Sequence, residues 1–213
     1  MNSVTVLDYG MSNLLNVVRA FEHLGSTVRV AETTEQAQDA ERLVLPGVGA
    51  FASGMRELKA RGFDQAVCEH AARQRPLLGI CLGMQMLLDV SEEFGSHAGL
   101  GLIPGRVVPV PPLAADGRPH KIPHIGWSGL HPTTAGAAWP GSLLAGLPEG
   151  AAVYFVHSFM AAPIDPVHRL ADCFYDGQPI CAAIQKEVMV GCQFHPEKSG
   201  EVGLAILRNF CCL

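Results

Sequence analysis

One cysteine in this chain lies between two glycines, directly after an apolar run. Residues 79–85 read GICLGMQ, so that Gly79 and Gly83 each stand two positions from Cys81. A G-x-C-x-G pattern between a strand and a helix is typical of a nucleophile on a sharp turn, because a β-carbon at either flank would collide with neighbouring backbone. The helix N-terminus that follows would favour the thiolate form. The alternative is an inert thiol at a strand-to-helix junction.

A thiol nucleophile requires a base, and the segment GCQFHPEKS supplies a candidate. His195 follows an apolar run, and Glu197 stands two residues further on. Residues i and i+2 of an extended chain point the same way, so the carboxylate can hold the ring while the ring faces the thiol. Cys81, His195 and Glu197 therefore provide the elements of a cysteine, histidine and glutamate triad. A surface histidine beside an ordinary glutamate is the alternative.

A glycine-containing turn could supply the anion-stabilising donors that such chemistry needs. The run LVLPGVGAF ends a predicted strand, and the backbone N–H groups of Val48 and Gly49 could face a substrate carbonyl together with that of Leu82. A plain strand-to-helix turn is the alternative. A second glycine-rich run, GLGLIPG at residues 99–105, lacks the context of a dinucleotide or phosphate loop, and we assign it no cofactor.

The composition argues against nucleic-acid binding, membrane binding and a disulfide-rich or zinc-stabilised fold. The 213 residues are 48% hydrophobic with a formal net charge of -5, so nucleic acid and membrane surfaces are disfavoured as partners. No stretch approaches the roughly 20 apolar residues that span a bilayer, and we expect a cytoplasmic protein. The seven cysteines form an odd set without a C-x-x-C pair, which argues against a disulfide framework and a structural zinc site. We therefore expect no metal, no cofactor and reduced thiols.

The elements that must position these residues are read from apolar periodicity. The start SVTVLD predicts a strand, and the next stretch predicts a helix with Ser12 as a possible cap and an apolar stripe that ends at Gly25. Further strands are predicted at residues 27–30, at residues 42–45 and in the run PLLGI. Two helices are predicted between residues 54 and 75, and the run MQMLLDV after Cys81 is predicted to be helical. This alternation is typical of a parallel sheet covered on both faces.

The second half of the chain changes character after about residue 100. RVVPV, GWSGL, AAVYFVHSFM, HRLADCFY, ICAAIQ and VMVGCQF are strand-like, and little helix is predicted until 199–212. The proline-rich stretch 110–119 is predicted to be a loop. We therefore expect one α/β domain over residues 1–213, with a mostly parallel central sheet and an antiparallel β extension in the second half.

The three candidate segments together resemble a known family. PGVG, GICLGMQ and FHPE, in this order, are similar to the oxyanion, nucleophile and histidine–glutamate motifs of class I, or triad, glutamine amidotransferases. The resemblance implies a flavodoxin-like three-layer fold and hydrolysis of L-glutamine to glutamate and ammonia. It implies that Cys81 attacks the side-chain amide, that His195 passes a proton to the leaving ammonia, and that water releases a glutamyl thioester.

Other segments narrow the resemblance. DYGMSNL, GLGLIPG, KIPHIGW, YFVHSF and QFHPEKS resemble the glutaminase subunits of imidazole glycerol phosphate synthase over nearly the whole chain, from Val6 to about Phe210. By this resemblance the glutamine site includes four further residues: Gln85, Glu93, Ser158 and Phe159. Glu93 would hold the α-amino group of glutamine, and its spacing from Cys81 favours it over Glu92. The backbone of Ser158 and Phe159 would hold the α-carboxylate.

The same resemblance implies a partner. These glutaminases form a heterodimer with a (β/α)8-barrel cyclase, HisF, which uses the ammonia in histidine biosynthesis to give imidazole glycerol phosphate and AICAR. Four residues match positions that face the cyclase: Asn13, Trp127, Tyr154 and Lys198. Two departures, Ser12 where the family has glycine and Ser128 where it has asparagine, are expected on the same side.

Two alternatives remain open from the sequence. Another triad glutaminase, or a paralogue of these subunits that supplies ammonia to a different synthase, would share all three motifs. A non-catalytic regulatory module with the same fold would normally have lost a triad residue, whereas Cys81, His195 and Glu197 are all present.

Overall fold

The computed structural model describes residues 3–133 and 139–213. Its helices are α1 (Leu14–His23), α2 (Thr34–Gln38), α3 (Phe51–Ala60), α4 (Phe63–Ala72), α5 (Leu82–Met86) and α6 (Gly200–Phe210), with 3-10 turns at Pro166–His168 and Pro196–Lys198. Its strands are β1 (Ser3–Leu7), β2 (Thr27–Ala31), β3 (Leu43–Gly47), β4 (Leu77–Cys81), β5 (Leu88–Ser91), β6 (His97–Ala98), β7 (Ile103–Pro109), β8 (His124–Gly129), β9 (His131–Pro132), β10 (Ala152–His157), β11 (Phe159–Pro163), β12 (Arg169–Tyr175), β13 (Gln178–Lys186) and β14 (Met189–Cys192).

A central sheet organises these elements. Within the described ranges it has eight strands in the order β2-β1-β3-β4-β14-β13-β12-β9. The first five pair in parallel, and the last three continue the sheet antiparallel. The predicted mostly parallel sheet with an antiparallel extension is therefore confirmed. The parallel order 2-1-3-4-5, with β14 as the fifth strand, is that of flavodoxin-like folds.

Helices cover both faces of this sheet, and each face has its own apolar core. One core contains Val17 and Phe21 of α1 with Phe210 of α6, and the other contains Phe51 of α3 and Phe63 of α4. Strand residues alternate between the two cores, as pleated strands require. None of the helices in the described ranges is long and apolar enough to cross a membrane.

Two smaller sheets complete the second half. β11, β7, β5 and β6 form a four-stranded sheet, and β8 pairs antiparallel with β10 in a two-stranded ribbon. The predicted strand AAVYFVHSFM is in fact two strands, which separate at Ser158 because β10 pairs with β8 whereas β11 pairs with β7. The break places the residues around Ser158 at the junction of both sheets.

Two sequence predictions were wrong locally. The helix after Cys81 ends at Met86, and Leu88 begins β5, which pairs with β7. An uninterrupted apolar run does not distinguish a buried helix from a buried strand, so pairing partners decided this segment. The N-cap of α1 is Asn13 rather than Ser12, and no side chain caps this helix.

The turn that carries Cys81 depends on its two glycines. A β-carbon on Gly83 would overlap the main-chain carbonyl of Leu45 in β3, and one on Gly79 would lie 2.7 Å from the backbone nitrogen of Met84. Real β-carbons do not approach backbone so closely, so the neighbouring strand would have to shift. The prediction that both glycines are required by a tight turn is confirmed.

We expect Gly83→Ala to destabilise the protein by more than about 4 kcal/mol, because the added methyl group displaces backbone of the central sheet. Gly25→Ala is the matched control: Gly25 has φ +78° but open space around it, so it should lose only about 1 to 2 kcal/mol through backbone strain. Urea unfolding of both variants measures the difference. Equal losses would contradict the close packing of this turn.

Candidate active site

Cys81 lies at the end of β4 and immediately before α5. Its backbone has φ 54° and ψ -110°, a conformation that a residue with a side chain rarely adopts. The residue is 8% exposed, and its sulfur accepts a hydrogen bond from the Gln193 side-chain amide at 3.7 Å. The strained turn thus points the thiol out of the sheet edge, as a nucleophile elbow does.

The other thiols have different surroundings. All seven cysteines are free in this structure. Burial raises the pKa of Cys173 and of Cys181 to about 12, and it raises the pKa of Cys192 as well. These three are protonated thiols in the core, whereas Cys81 lines a pocket together with His195.

His195 and Glu197 come together at the 3-10 turn after β14. The ring Nδ1 of His195 lies 2.8 Å from Oε1 of Glu197, and both side chains are almost wholly buried. A carboxylate oxygen accepts, so Nδ1 carries the hydrogen and Nε2 remains for the substrate side. Nε2 has no hydrogen-bond partner among the residues that the structure describes. The ring is oriented as a general base requires.

The electrostatics of His195 favour its charged form. Burial alone would lower the pKa of His195, but the Cys81 side chain and the Glu197 carboxylate raise it to about 9. At neutral pH the ring therefore holds a proton that it can give to a leaving group. The arrangement suits a thiolate and imidazolium pair backed by a buried carboxylate.

A pocket of about 300 Å³ brings most of the predicted residues together. This size is at the lower end of the roughly 300 to 1,000 Å³ of small-molecule sites. Its lining consists of Val48, Gly49, Cys81, Gln85, Glu93, Pro123, Val156, His157, Ser158, Phe159 and His195. Glu197 and Leu82 are not among the lining residues: Glu197 is bonded to His195, and Leu82 directly follows Cys81 in the chain.

The two neighbouring glutamates differ in position. Glu93 lines the pocket and its Oε2 accepts a hydrogen bond from the backbone N–H of Phe51, the first residue of α3. Glu92 is exposed and pairs with Arg106 at 2.7 Å. The preference for Glu93 over Glu92, which spacing from Cys81 suggests, thus agrees with the geometry.

One of the three candidate oxyanion donors already makes a hydrogen bond within the protein. The N–H of Val48 donates to the carbonyl of Met11 at 2.8 Å, so it is not available to a substrate carbonyl in this structure. Met11 belongs to the loop between β1 and α1, and Gly49, the next residue after Val48, has φ +99°. Gly49 itself lines the pocket, and Leu82 is the first residue of α5, where a backbone N–H has no intrahelical acceptor.

Two residues at the pocket are not among those that the sequence patterns single out. Gln193 is fully buried and donates to Cys81, and His157 lies in the wall with its Nδ1 2.9 Å from the Phe159 carbonyl. Both stand within segments that carry the family resemblance, QFHPEKS and YFVHSF, and within runs that are predicted as strands, but neither residue is assigned a role. A polar side chain inside an apolar strand was the available signal, since buried polar groups require partners.

The predicted partner-facing residues cluster around the two-stranded ribbon. Trp127 in β8 is 58% exposed, and its ring meets that of Tyr154 in β10 edge-on at 6.0 Å. Lys198 is exposed in the turn that follows Glu197, and that turn is tied to the ribbon by the bond from Tyr154 N to Ser199 Oγ. α1, which begins after Asn13, packs against the same turn.

The two departures from the family pattern do not both face outward. Ser128 lies opposite Val153, on the inner face of the ribbon, and its Oγ is 3.0 Å from Nε2 of His124. Strand alternation places residues 124, 126 and 128 on this inner face, and the expected position of Ser128 toward a partner stays a prediction. Ser12 is half-buried, with an Oγ that has no partner among the described residues.

Comparison with known proteins gives consistent matches. Residues 5–212 match the family model of glutamine amidotransferase class-I. The chain is 55% identical over 210 residues to imidazole glycerol phosphate synthase subunit HisH 1 of Legionella pneumophila strain Lens, with 99% of each chain covered. It is 44% identical over 208 residues to subunit HisH of Syntrophotalea carbinolica, covering 97% of this chain and 98% of that one.

Solved structures share the fold at low sequence identity. PurLQS from Thermotoga maritima superposes with a TM-score of 0.72 at 20% identity, covering 98% of this chain and 96% of that chain. A crystal structure of a glutamine amidotransferase gives a TM-score of 0.71 at 17% identity, covering 97% of this chain and 98% of that chain. These matches agree with the three-layer architecture described above.

We expect the buried pair to stabilise the fold in a pH-dependent way. Because the pKa of His195 is raised from 6.5 to about 9, its contribution, on the order of 3 kcal/mol, is complete below about pH 6.5 and is lost as pH rises through about 9. Glu197→Gln removes the carboxylate, so the difference in unfolding free energy between wild type and this variant should shrink from pH 6 to pH 10.

Urea unfolding across this range measures that difference. Glu69→Gln is the control, because Glu69 is an exposed carboxylate paired with Arg73 at 3.8 Å. It should show no comparable pH dependence. A gap between wild type and Glu197→Gln that stays constant with pH would contradict the raised pKa of His195.

Proposed function

This chain belongs to the class-I glutamine amidotransferase family, and on that premise we propose that it is the glutaminase subunit of an imidazole glycerol phosphate synthase. It hydrolyses L-glutamine to glutamate and ammonia in histidine biosynthesis. The observation that carries the proposal is the convergence of Cys81, with its strained backbone, and the hydrogen-bonded pair His195 and Glu197 at one pocket. The full-length similarity to HisH subunits supports the choice of pathway.

The chemistry follows from the positions of three side chains. The Cys81 sulfur, as thiolate, attacks the side-chain amide carbon of glutamine, and the carbonyl oxygen takes up the negative charge. His195 gives its proton to the amide nitrogen, which leaves as ammonia, and a glutamyl thioester remains. His195 then accepts a proton from water, which attacks the thioester and releases glutamate while Cys81 regains its thiolate. Glu197 holds the ring orientation and balances its charge throughout.

Hydrogen-bond donors must stabilise the developing oxyanion. Gly49 and Leu82 are the backbone donors proposed for this role, together with Val48. In this structure the Val48 amide is bonded to the Met11 carbonyl, so its participation requires that bond to break. A loop that must rearrange before it stabilises the transition state would keep the free protein slow, and partner binding would be the natural trigger.

The remaining pocket residues recognise the amino-acid portion of glutamine. Glu93 is proposed to bind the α-amino group, because it places a carboxylate in the wall of the pocket. The backbone of Ser158 and Phe159, at the break between β10 and β11, is proposed to bind the α-carboxylate. Gln85, whose side-chain amide donates to the Phe159 carbonyl at 3.1 Å, holds this part of the wall.

The proposed partner is the HisF cyclase, in a cytoplasmic heterodimer. HisF would use the ammonia to form imidazole glycerol phosphate and AICAR. The ribbon face with Trp127 and Tyr154, together with Asn13 and Lys198, would meet the cyclase, since exposed aromatic groups are enriched at such interfaces. A paralogue that serves a different synthase is the second candidate, and the intact triad argues against a purely regulatory module.

We expect Cys81→Ala to abolish glutamine-dependent synthesis by the complex with HisF, because the nucleophile is lost. Synthesis from added ammonium should continue, since the cyclase site is untouched. Cys212→Ala, at an exposed cysteine, is the control and should keep both activities. Residual glutamine hydrolysis by the Cys81 variant would refute the assigned nucleophile, and absence of any complex with HisF would refute the proposed partner.

We expect the chain alone to hydrolyse glutamine at less than about one hundredth of its rate in the complex with HisF and nucleotide ligand, the loss that one missing oxyanion donor causes. The Val48 amide, held by Met11, is the missing donor. Glutamate formation measured with and without the cyclase tests this. Fast turnover by the isolated chain would show that the Met11 bond does not restrain catalysis.

A further inference from the structure

Two buried histidines outside the triad lie between the ribbon and the pocket. His124 in β8 and His157 in β10 are directly opposite each other on the inner face, at 1% and 6% exposure. His124 Nδ1 is 3.0 Å from His157 Nε2, and His124 stacks on Phe155 with ring centroids 4.9 Å apart. The pair is thus fixed in orientation by packing and by contact between the two rings.

The donor and acceptor of each hydrogen bond in this histidine pair can be assigned from its partners. A main-chain carbonyl can only accept, so His157 must carry its hydrogen on Nδ1 to bond Phe159 at 2.9 Å. Its Nε2 is then an acceptor, and His124 must donate to it from Nδ1. The Nε2 of His124 is left as an acceptor, which the hydroxyl of Ser128 satisfies at 3.0 Å. Every ring nitrogen of the pair has a partner.

Both histidine rings are neutral, as the donor and acceptor pattern of their hydrogen bonds requires. Burial lowers the pKa of His124 and of His157 to about 4. Asp176 and His120 are the titratable groups that influence the first ring, and His195 influences the second. A neutral imidazole has one donor and one acceptor, which is the pattern that the chain of bonds uses.

A second chain of hydrogen bonds connects Cys81 to the same carbonyl, that of Phe159. The side-chain amide of Gln85 donates both to the Phe159 carbonyl and, at 3.0 Å, to Oε1 of Gln193. Gln193 in turn donates from Nε2 to the Cys81 sulfur at 3.7 Å. The Phe159 carbonyl therefore receives two donors, one from the histidine pair and one from the amide pair.

We propose that His124 and His157 are positioning residues for glutamine hydrolysis, which hold the Phe159 carbonyl and so the Ser158–Phe159 wall of the pocket in one orientation. The inference rests on the proposed function and deepens it. A carbonyl that accepts two buried bonds cannot rotate without leaving a donor unpaired, and such a loss is costly in a buried site. The wall that is proposed to bind the substrate carboxylate is thereby organised before glutamine arrives.

Kinetics of variants in the complex with HisF test this role. His157→Phe keeps the ring volume but removes the donor, and KM for glutamine should rise about tenfold with kcat changed less than about threefold. In His157→Asn the amide nitrogen takes the place of Nδ1, so KM should return to within about threefold of wild type. An unchanged KM in the Phe variant, or a rise that Asn does not reverse, would overturn the proposal.

His70 provides a matched control. It is 1% exposed, and its Nε2 lies 2.9 Å from the Pro76 carbonyl, away from the pocket. His70→Phe also removes a buried bond from a histidine to a main-chain carbonyl, so it should lower the melting temperature while KM for glutamine stays unchanged. A KM that rises equally in both Phe variants would mean that general destabilisation, and not the position of the wall, is responsible.

Nitrogen-15 NMR of the imidazole rings of the full chain, alone, supplies a test that needs no catalysis. Both His124 and His157 should be neutral Nδ1–H tautomers at pH 7 and stay so down to about pH 5. An Nε2–H tautomer on either ring, or protonation near pH 6.5, would overturn the proposal even if a variant fails to fold. Absence of glutamine hydrolysis by the wild-type complex would instead refute the proposed function and leave the NMR result standing.

Discussion

The site depends on one close approach of backbone to backbone. Gly83 at the start of α5 lies against the main-chain carbonyl of Leu45 in β3, with no room for a β-carbon. This contact forces the chain to leave β4 through a turn in which Cys81 adopts φ 54°. The sharp turn lifts the sulfur above the sheet edge and leaves the first amides of α5 unpaired beside it. A central parallel sheet with rigid neighbours makes the strained conformation tolerable, since the strain is offset by packing elsewhere.

The electrostatic design of the site follows from its burial. His195 and Glu197 are each almost fully removed from water, where an isolated charge would be costly. Their mutual bond and the nearby sulfur make the charged ring favourable, and so the pKa of His195 rises where burial alone would lower it. The two buried histidines of the ribbon, His124 and His157, show the opposite outcome. His124 and His157 face other neutral acceptors and donors, and burial keeps them uncharged. A charged ring, His195, and a neutral ring, His157, therefore line the same pocket.

The junction at Ser158 links this chemistry to the outer surface. β10 ends there and β11 begins, because the two strands belong to different sheets. The same ribbon presents Trp127 to the exterior and His124 to the interior, since alternate residues of a strand face opposite sides. The proposed partner surface and the pocket wall are therefore two faces of one small element. His157 joins the two, since it belongs to the ribbon and bonds the Phe159 carbonyl.

The sequence by itself predicted Cys81, His195 and Glu197 as candidate triad residues, because glycine spacing and an i, i+2 pair are local patterns with local geometry. Apolar periodicity likewise predicted β1 to β4 and the helices α1, α3 and α4, but it did not single out α2. Tertiary structure decided the features that depend on contacts with residues far away in the chain. The apolar run after Met86 becomes β5, and Ser128 lies on the inner face of the ribbon. Tertiary structure also decided that Gln193 reaches Cys81 and that Val48 bonds Met11. Hydrogen bonds between residues far apart along the chain leave no periodic pattern, so only the folded arrangement reveals them.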